Sequence, residues 1–290
     1  MGKKIRERRE MASLTKIMAA YTVLNYCSLK NIELKENTIR VSGISAHING
    51  TAAGLKKGNL LSAFDLLYAM MLPSGNDAAR ALSEYFGGLL YQDKFPQAYK
   101  KPRFPGRFFV GEMNRNARAL HMFSTHYNNS HGLANEYNKS TTQDIAILSA
   151  AAMKIPLFRE IVRTKEYECT ILTAKGIHKK VKWENTNMML NFDGFNGLKT
   201  GITPTAGPCL CSSYSKSGVN LIIVLLNCKT IEKRWDETRK LLKFYLKTIK
   251  PTENKPKIDR NVLPMIYGTD RKDDCCKEGN GSTNVSSSDV

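Results

Sequence analysis

The run Ala12-Ser13-Leu14-Thr15-Lys16-Ile17-Met18 opens a stretch that reaches Tyr26 without Gly or Pro. Ile17, Met18, Tyr21 and Leu24 recur in it near the helical period, which predicts a helix from Ala12 to Tyr26 with Ser13 in its first turn. Residues three apart share a helix face, so the Lys16 amine falls within reach of the Ser13 hydroxyl. The same Ser-x-x-Lys spacing recurs at Ser213-Tyr214-Ser215-Lys216, but in an alternating stretch, and on a strand residues i and i+3 point to opposite faces. Helical period around the first pair and strand period around the second place the chain in a mixed α/β (α+β) class.

Working outward, Leu60 to Met71 reads as a second helix, stopped at Leu72-Pro73, and Asn76 to Phe86 as a third, closed by Gly87-Gly88. Pro73-Ser74-Gly75-Asn76 is then an interhelical loop. Residues 92 to 110, with Pro96, Pro102, Pro105 and Gly106 among lysines and aromatics, read as a long basic surface loop. Asn114 to Phe123 and Thr142 to Met153 read as amphipathic helices joined through Asn128-Asn129-Ser130-His131-Gly132-Leu133. Tyr167 to Leu172, Leu210 to Tyr214 and Val219 to Leu226 alternate as strands, the last two around the turn Ser215-Lys216-Ser217-Gly218. Ile231 to Thr248 is a basic amphipathic helix. The expected division is a domain at 1–250 and a polar, disordered tail at 251–290.

Three patterns carry chemistry, in order: Ser13-x-x-Lys16, Ser74-Gly75-Asn76 and Lys199-Thr200-Gly201. Each has a plain structural reading as well: Ser13 a helix cap, Ser74 and Asn76 turn and cap residues after Pro73, Lys199-Thr200-Gly201 a strand and turn. Together they describe a nucleophile with its base. A serine hydroxyl attacks only when a neighbouring base takes its proton, and Lys16 is such a base only when neutral. Burial and a second cation both disfavour the ammonium, and Lys199 is the candidate cation.

The composition sets limits. The 290 residues, 42% of them hydrophobic, suffice for a large buried core. The most apolar stretch, Leu221 to Leu226, is far shorter than the roughly 18–20 residues of a membrane span. Residues 1–10 are charged and have no apolar segment behind them, so no signal peptide is read there. The net charge of +18 is spread along the chain with no nucleic-acid motif, so it reads as a basic surface rather than a nucleic-acid site. Seven cysteines without a CxxC pair, and five histidines without HExxH, argue against zinc. Cys27, Cys169 and Cys228 are expected in the core.

The Ser13 run resembles the active-site signature of the serine D-alanyl-D-alanine carboxypeptidases, the low-molecular-mass penicillin-binding proteins of peptidase family S11. Ser74-Gly75-Asn76-Asp77-Ala78-Ala79 resembles their second motif, and Asn196-Gly197-Leu198-Lys199-Thr200-Gly201 with Thr203, Ala206 and Gly207 their third. Met113 to Leu120, His131-Gly132-Leu133, Ser140 to Ala146 and Trp183-Glu184-Asn185-Thr186-Asn187 are similar as well, so the likeness covers roughly residues 8 to 248. It implies a β-lactamase/transpeptidase-like fold, an antiparallel sheet flanked by helices with a helical subdomain. It also implies an acyl-enzyme cycle on peptides ending in D-Ala-D-Ala, with β-lactams as covalent inhibitors, an extracytoplasmic setting and no metal or cofactor. Ser13 is then the nucleophile, Lys16 its base, Ser74 a proton relay, Asn76 a holder of the substrate amide and Lys199 the electrostatic partner. Thr200 is expected to bind the terminal carboxylate next to Gly201, the amides of Ser13 and Ile202 to form the oxyanion hole, and Lys229 to be a further carboxylate binder. Family members carry strands before the nucleophile, whereas twelve residues precede Ser13 here, so an open sheet edge is expected. A β-lactamase or esterase, and an inactive basic binding protein, are the competing readings; no ExxLN-like carboxylate segment follows Ser74 to support the first.

Overall fold

The computed structural model describes residues 2–100 and 102–248. A four-stranded sheet, a three-stranded sheet and a helical layer pack around a main apolar core, with a two-stranded pairing near the N-terminus and a second, smaller core under the three-stranded sheet. After a two-residue strand β1 (Arg9–Glu10) and a 3-10 turn at Ala12–Leu14, helix α1 (Thr15–Lys30) runs through that core with Ile17, Met18, Ala20 and Val23 fully buried. It stops at Asn31, whose left-handed backbone (φ 50°) breaks the helix. A four-stranded sheet follows in the order β2 (Thr38–Arg40), β3 (Leu60–Ser62), β5 (Glu166–Leu172), β6 (His178–Glu184), all pairs antiparallel. Between β2 and β3 lies the short helix α2 (Gly43–Ala46). Strand β4 (Lys139–Ser140) pairs with β1.

The helical layer holds α3 (Ala63–Met71), α4 (Asn76–Lys94), α5 (Pro105–Ala119), α6 (Thr142–Ala152) and α7 (Pro156–Arg163). Local chemistry sets their starts. Ser62 caps α3 by accepting from the Asp65 amide (3.0 Å), Thr141 caps α6 by accepting from the Asp144 amide (3.1 Å), and Pro105 and Pro156 occupy first-turn positions where no amide donor is needed.

The second sheet is antiparallel, β7 (Phe195–Gly201), β8 (Cys209–Lys216), β9 (Val219–Leu225), with β8 in the middle. Ser217 and Gly218, both at positive φ (51° and 78°), make the tight turn that joins β8 to β9. Side chains of β8 alternate between two cores. Cys209 and Cys211 join the main core with α1, while Leu210 and Tyr214 join a smaller one with Met189, Phe195 and Ile223 against Trp235 and Leu242 of α8 (Ile231–Thr248). Among the described residues no strand pairs with the outer edge of β9.

This is the expected mixed class, an antiparallel sheet flanked by helices with a helical subdomain, but several local readings are corrected. Residues 60–71 begin as strand β3 before the helix starts at Ala63. The third helix passes through Gly87-Gly88 and ends at Lys94, because a Cβ at Gly87 would overlap the Pro105 carbonyl (2.6 Å from its carbon), and glycine alone lets α5 approach. The basic loop shrinks accordingly, since α5 starts at Pro105 and covers much of the segment read as 92–110. The helix read as 114–123 ends at Ala119, and β2, α7 and β6 were not anticipated. Cys27 is buried, but Cys169 and Cys228 are only half-buried. The tail expected at 251–290, with Cys275 and Cys276, lies outside the described residues, as does the domain boundary at 250. Among the described residues no helix is long and apolar enough to cross a membrane.

Candidate active site

The 3-10 turn before α1 puts Ser13 at the mouth of a cavity of about 440 Å³ and tucks Lys16 beneath it. The turn is forced rather than relaxed: Ala12 adopts φ 48°, a left-handed conformation that costs an L-residue energy. Thr15 secures it by donating to the Ala12 carbonyl (2.9 Å) while accepting from Asn138 Nδ2 (2.9 Å). Lys16 is wholly buried, and its Nζ donates to Ser13 Oγ (2.9 Å), Asn76 Oδ1 (2.7 Å) and the His131 carbonyl (2.6 Å).

Ser74 and Asn76 come from the α3–α4 connection. Ser74 is also left-handed (φ 64°), with its carbonyl accepting from Thr51 Oγ1 (2.7 Å); the Asn76 amide donates to the Thr51 carbonyl (2.8 Å) and Asn76 Nδ2 to the Asn49 carbonyl (2.7 Å). The next residue fastens the same loop: Asp77 accepts from the amides of Ala53 (2.9 Å) and Leu55 (3.0 Å). Trp183 of β6 donates to the Ala53 carbonyl (2.9 Å), which ties the four-stranded sheet to this wall of the site.

The third wall is the end of β7. Thr200 and Gly201 line the cavity with Ser13, Ser74 and Asn76, and a Cβ on Gly201 would come within 3.0 Å of the Ser13 amide. Thr200 Oγ1 lies 2.7 Å from Thr186 Oγ1, and Ile202 stands half exposed at the rim. Lys199 points to the inner face of β7; it is 1% exposed and donates to the Thr200 carbonyl (3.1 Å). Another cavity, of about 470 Å³ beside Arg40, Lys57 and Ala174, contains none of the motif residues.

Both amines are held below their ordinary ammonium range. Burial is the main cause for each. Lys16 is pushed well down by burial and then by the charge of Lys199, against a small opposing pull from Asp77. Lys199 is lowered to about 7 by burial and then by Arg234. Burial and the neighbouring cation thus both favour the free-base form of the amine under Ser13.

Two groups that the structure brings to the site carry no motif in the sequence. Arg234 of α8, 8% exposed, lines the cavity and donates to the carbonyls of Gly201 and Cys209 (both 3.4 Å). Lys229, the cation expected there, is exposed in the β9–α8 turn and is not among the residues lining the cavity. The only signal for Arg234 was its place in a helix with many cations. The second participant is the His131 carbonyl, which no side-chain motif announces. The His131 ring is itself neutral, its pKa lowered to about 3 by burial first and by Lys16 and Arg80 after it.

The sequence matches the D-alanyl-D-alanine carboxypeptidase family, peptidase S11, over residues 1–101 and 104–230. The chain belongs to that family. It is similar to the D-alanyl-D-alanine carboxypeptidase of Streptomyces sp. strain K15, with 32% identity over 240 residues, 82% of this chain and 79% of that one. The crystal structure of the Streptomyces K15 DD-transpeptidase superposes with a TM-score of 0.77 at 30% identity, covering 85% of this chain and 91% of that one. Similarity to DacC of Escherichia coli is 31% over 258 residues, 84% of this chain but 58% of the relative, so the chain spans a little over half the length of that larger protein. The family's serine peptidase fold is the one described above.

Proposed function

We propose that the chain is a serine-type D-alanyl-D-alanine carboxypeptidase that works through an acyl-enzyme on Ser13. The observation that carries this reading is the wholly buried Lys16 amine, held well below its ordinary ammonium range and 2.9 Å from Ser13 Oγ. The relatives' names supply the substrate class, a peptide ending in D-Ala-D-Ala.

In this reading Ser13 Oγ attacks the carbonyl between the two D-alanines while its proton passes to the Lys16 lone pair. The negative oxygen of the tetrahedral adduct faces the amides of Ser13 and Ile202. Collapse expels the terminal D-alanine, whose nitrogen takes a proton through Ser74, and leaves an ester on Ser13 that water hydrolyses with Lys16 again as base. Asn76 Nδ2 and Oδ1 are held by the Asn49 carbonyl and the Lys16 amine, so Asn76 serves the lysine as well as the substrate amide. Thr200, Gly201 and Arg234 surround the place of the terminal carboxylate, and Arg234 takes the role expected of Lys229. The charge of Lys199 adds to burial in disfavouring the ammonium form of Lys16. A β-lactam enters the same cycle; among the described residues no carboxylate lines the cavity to speed its release, which favours a lasting adduct over the β-lactamase reading.

The test is release of D-alanine from such a peptide, together with covalent labelling by a tagged penicillin. Both are expected for the wild type and absent for Ser13→Ala. Release or labelling that survives the substitution refutes the assignment, and rapid turnover of the penicillin would favour the β-lactamase reading.

A further inference from the structure

We infer that Asn129 is a positioning residue for the base: its side chain shapes the 129–133 loop so that the His131 carbonyl meets Lys16 and directs the amine lone pair at Ser13. The inference rests on the reading of Lys16 as the base of Ser13. Lys16 Nζ has three acceptors around it, Ser13 Oγ, Asn76 Oδ1 and the His131 carbonyl. An ammonium fills all three, but a neutral amine has two N–H bonds and one lone pair. When the Asn76 and His131 oxygens take the two N–H bonds, the lone pair is left facing the Ser13 hydroxyl. Without the His131 carbonyl, the second N–H turns toward Ser13 and the amine presents a hydrogen where the reaction needs a base.

That carbonyl is held by Asn129. Asn129 Oδ1 accepts from the amides of Gly132 (2.6 Å) and His131 (3.3 Å), and Asn129 Nδ2 donates to the Leu133 carbonyl (3.2 Å). With its two amides engaged from one side, the His131–Gly132 segment presents its carbonyl to the other side, toward Lys16. Gly132 completes the arrangement. At φ 86° its Cα lies so close to the nucleophile turn that a Cβ would overlap the Ala12 carbonyl and come within 2.9 Å of the Ser13 amide. The loop therefore abuts both the base and the backbone of the nucleophile, and Asn129 ties it through three hydrogen bonds. The loop also packs its His131 carbonyl on the Lys16 amine, so loosening it admits water to a group whose lowered pKa depends chiefly on burial.

The experiment measures the acylation rate by a tagged penicillin across pH for the wild type, Asn129→Ala, Asn129→Ser and Ser130→Ala. Asn129→Ala is expected to acylate roughly 10- to 100-fold more slowly, the order of loss that follows an ångström of misplacement, with the acid limb of the profile moved to higher pH. Asn129→Ser, whose shorter hydroxyl reaches one amide rather than two, should lie between wild type and alanine in both readouts. Ser130→Ala removes a bond of the same loop to the Ala79 carbonyl (3.3 Å) that engages neither Lys16 nor the 131 and 132 amides, and should leave the acid limb in place. Wild-type rate in Asn129→Ala, a slower rate with an unmoved acid limb, or an equal shift in Ser130→Ala overturns the inference. If the alanine variant does not fold, the serine variant decides alone, and wild-type values for it overturn the inference. Labelling that survives Ser13→Ala would instead refute the reading of the nucleophile, so the two failures are separate.

Discussion

Replacing Lys199 by methionine should make the protein more stable and inactive, and the gain should depend on pH in a calculable way. Lys199 is 1% exposed, with its pKa lowered from 10.5 to about 7. Between those values the unfolded chain binds a proton that the folded one releases, so stability rises with pH across that window. Below about pH 7 the burial penalty is present in full, roughly 3.5 units at about 1.36 kcal/mol each, or about 5 kcal/mol. At about pH 9 the unfolded lysine is still mostly charged and the folded one neutral, and the residual penalty is about 2 kcal/mol. Methionine removes the penalty but forfeits the bond to the Thr200 carbonyl, about 1 kcal/mol. The expected net gain is therefore about 4 kcal/mol near pH 6 and about 1 kcal/mol near pH 9. Relief of the repulsion on Lys16 acts in the same direction at the acid end. Denaturant unfolding at the two pH values measures the difference, and penicillin labelling measures the loss of acylation. A variant no more stable than wild type near pH 6, or a gain that does not shrink toward pH 9, refutes the account of a buried cation held in place for its electrostatics.

Gly87→Ala tests the helix crossing: propensity alone favours alanine by about 1 kcal/mol in a helix interior, but overlap with the Pro105 carbonyl should reverse the sign and lower the unfolding temperature. A stabilised variant would refute the crossing geometry. Arg234→Met should raise KM for a peptide with a free carboxylate by roughly 10- to 100-fold, the cost of a hydrogen bond to a charged group, whereas Lys229→Met should leave it within about twofold. Equal effects of the two substitutions would return the role to Lys229.

The sequence disclosed the parts of this molecule whose side chains announce their setting. The buried face of α1 was legible because Ile17, Met18 and Leu24 keep a helical period in a run free of breakers, and the β8–β9 hairpin because alternation flanks a Ser-Gly turn. Strand β6 was not legible. Its run His178-Lys179-Lys180-Val181-Lys182 has the lysines of an edge strand, which discourage further pairing and also erase the hydrophobic alternation. Strands β2 and β3, three residues each, are too short to show a period. Gly87-Gly88 was read as a stop because glycine ends helices more often than it sits inside them, and the contact that requires it comes from Pro105, eighteen residues away. Type and spacing point to the side chains that the structure gathers around Ser13, but not to Arg234, since nothing in Lys233-Arg234-Trp235 says which cation turns inward.

What the motifs could not convey is how much of the site is held against its own preference. Ala12 and Ser74 take left-handed backbones that cost on the order of 1–3 kcal/mol each, and two amines are buried without a carboxylate hydrogen-bonded to either. None of these features favours folding. They persist because neighbours fix them: Thr15 and Gly132 around Ala12, Thr51 behind Ser74, the Asn76 and His131 oxygens around Lys16. The same features are what the proposed acylation would use, a hydroxyl at the mouth of the cavity and, beneath it, an amine whose ammonium form is disfavoured. Substitutions that relax them should therefore trade reactivity for stability, whereas substitutions in the loops that impose them, at 49–55 and 129–133, should lose both.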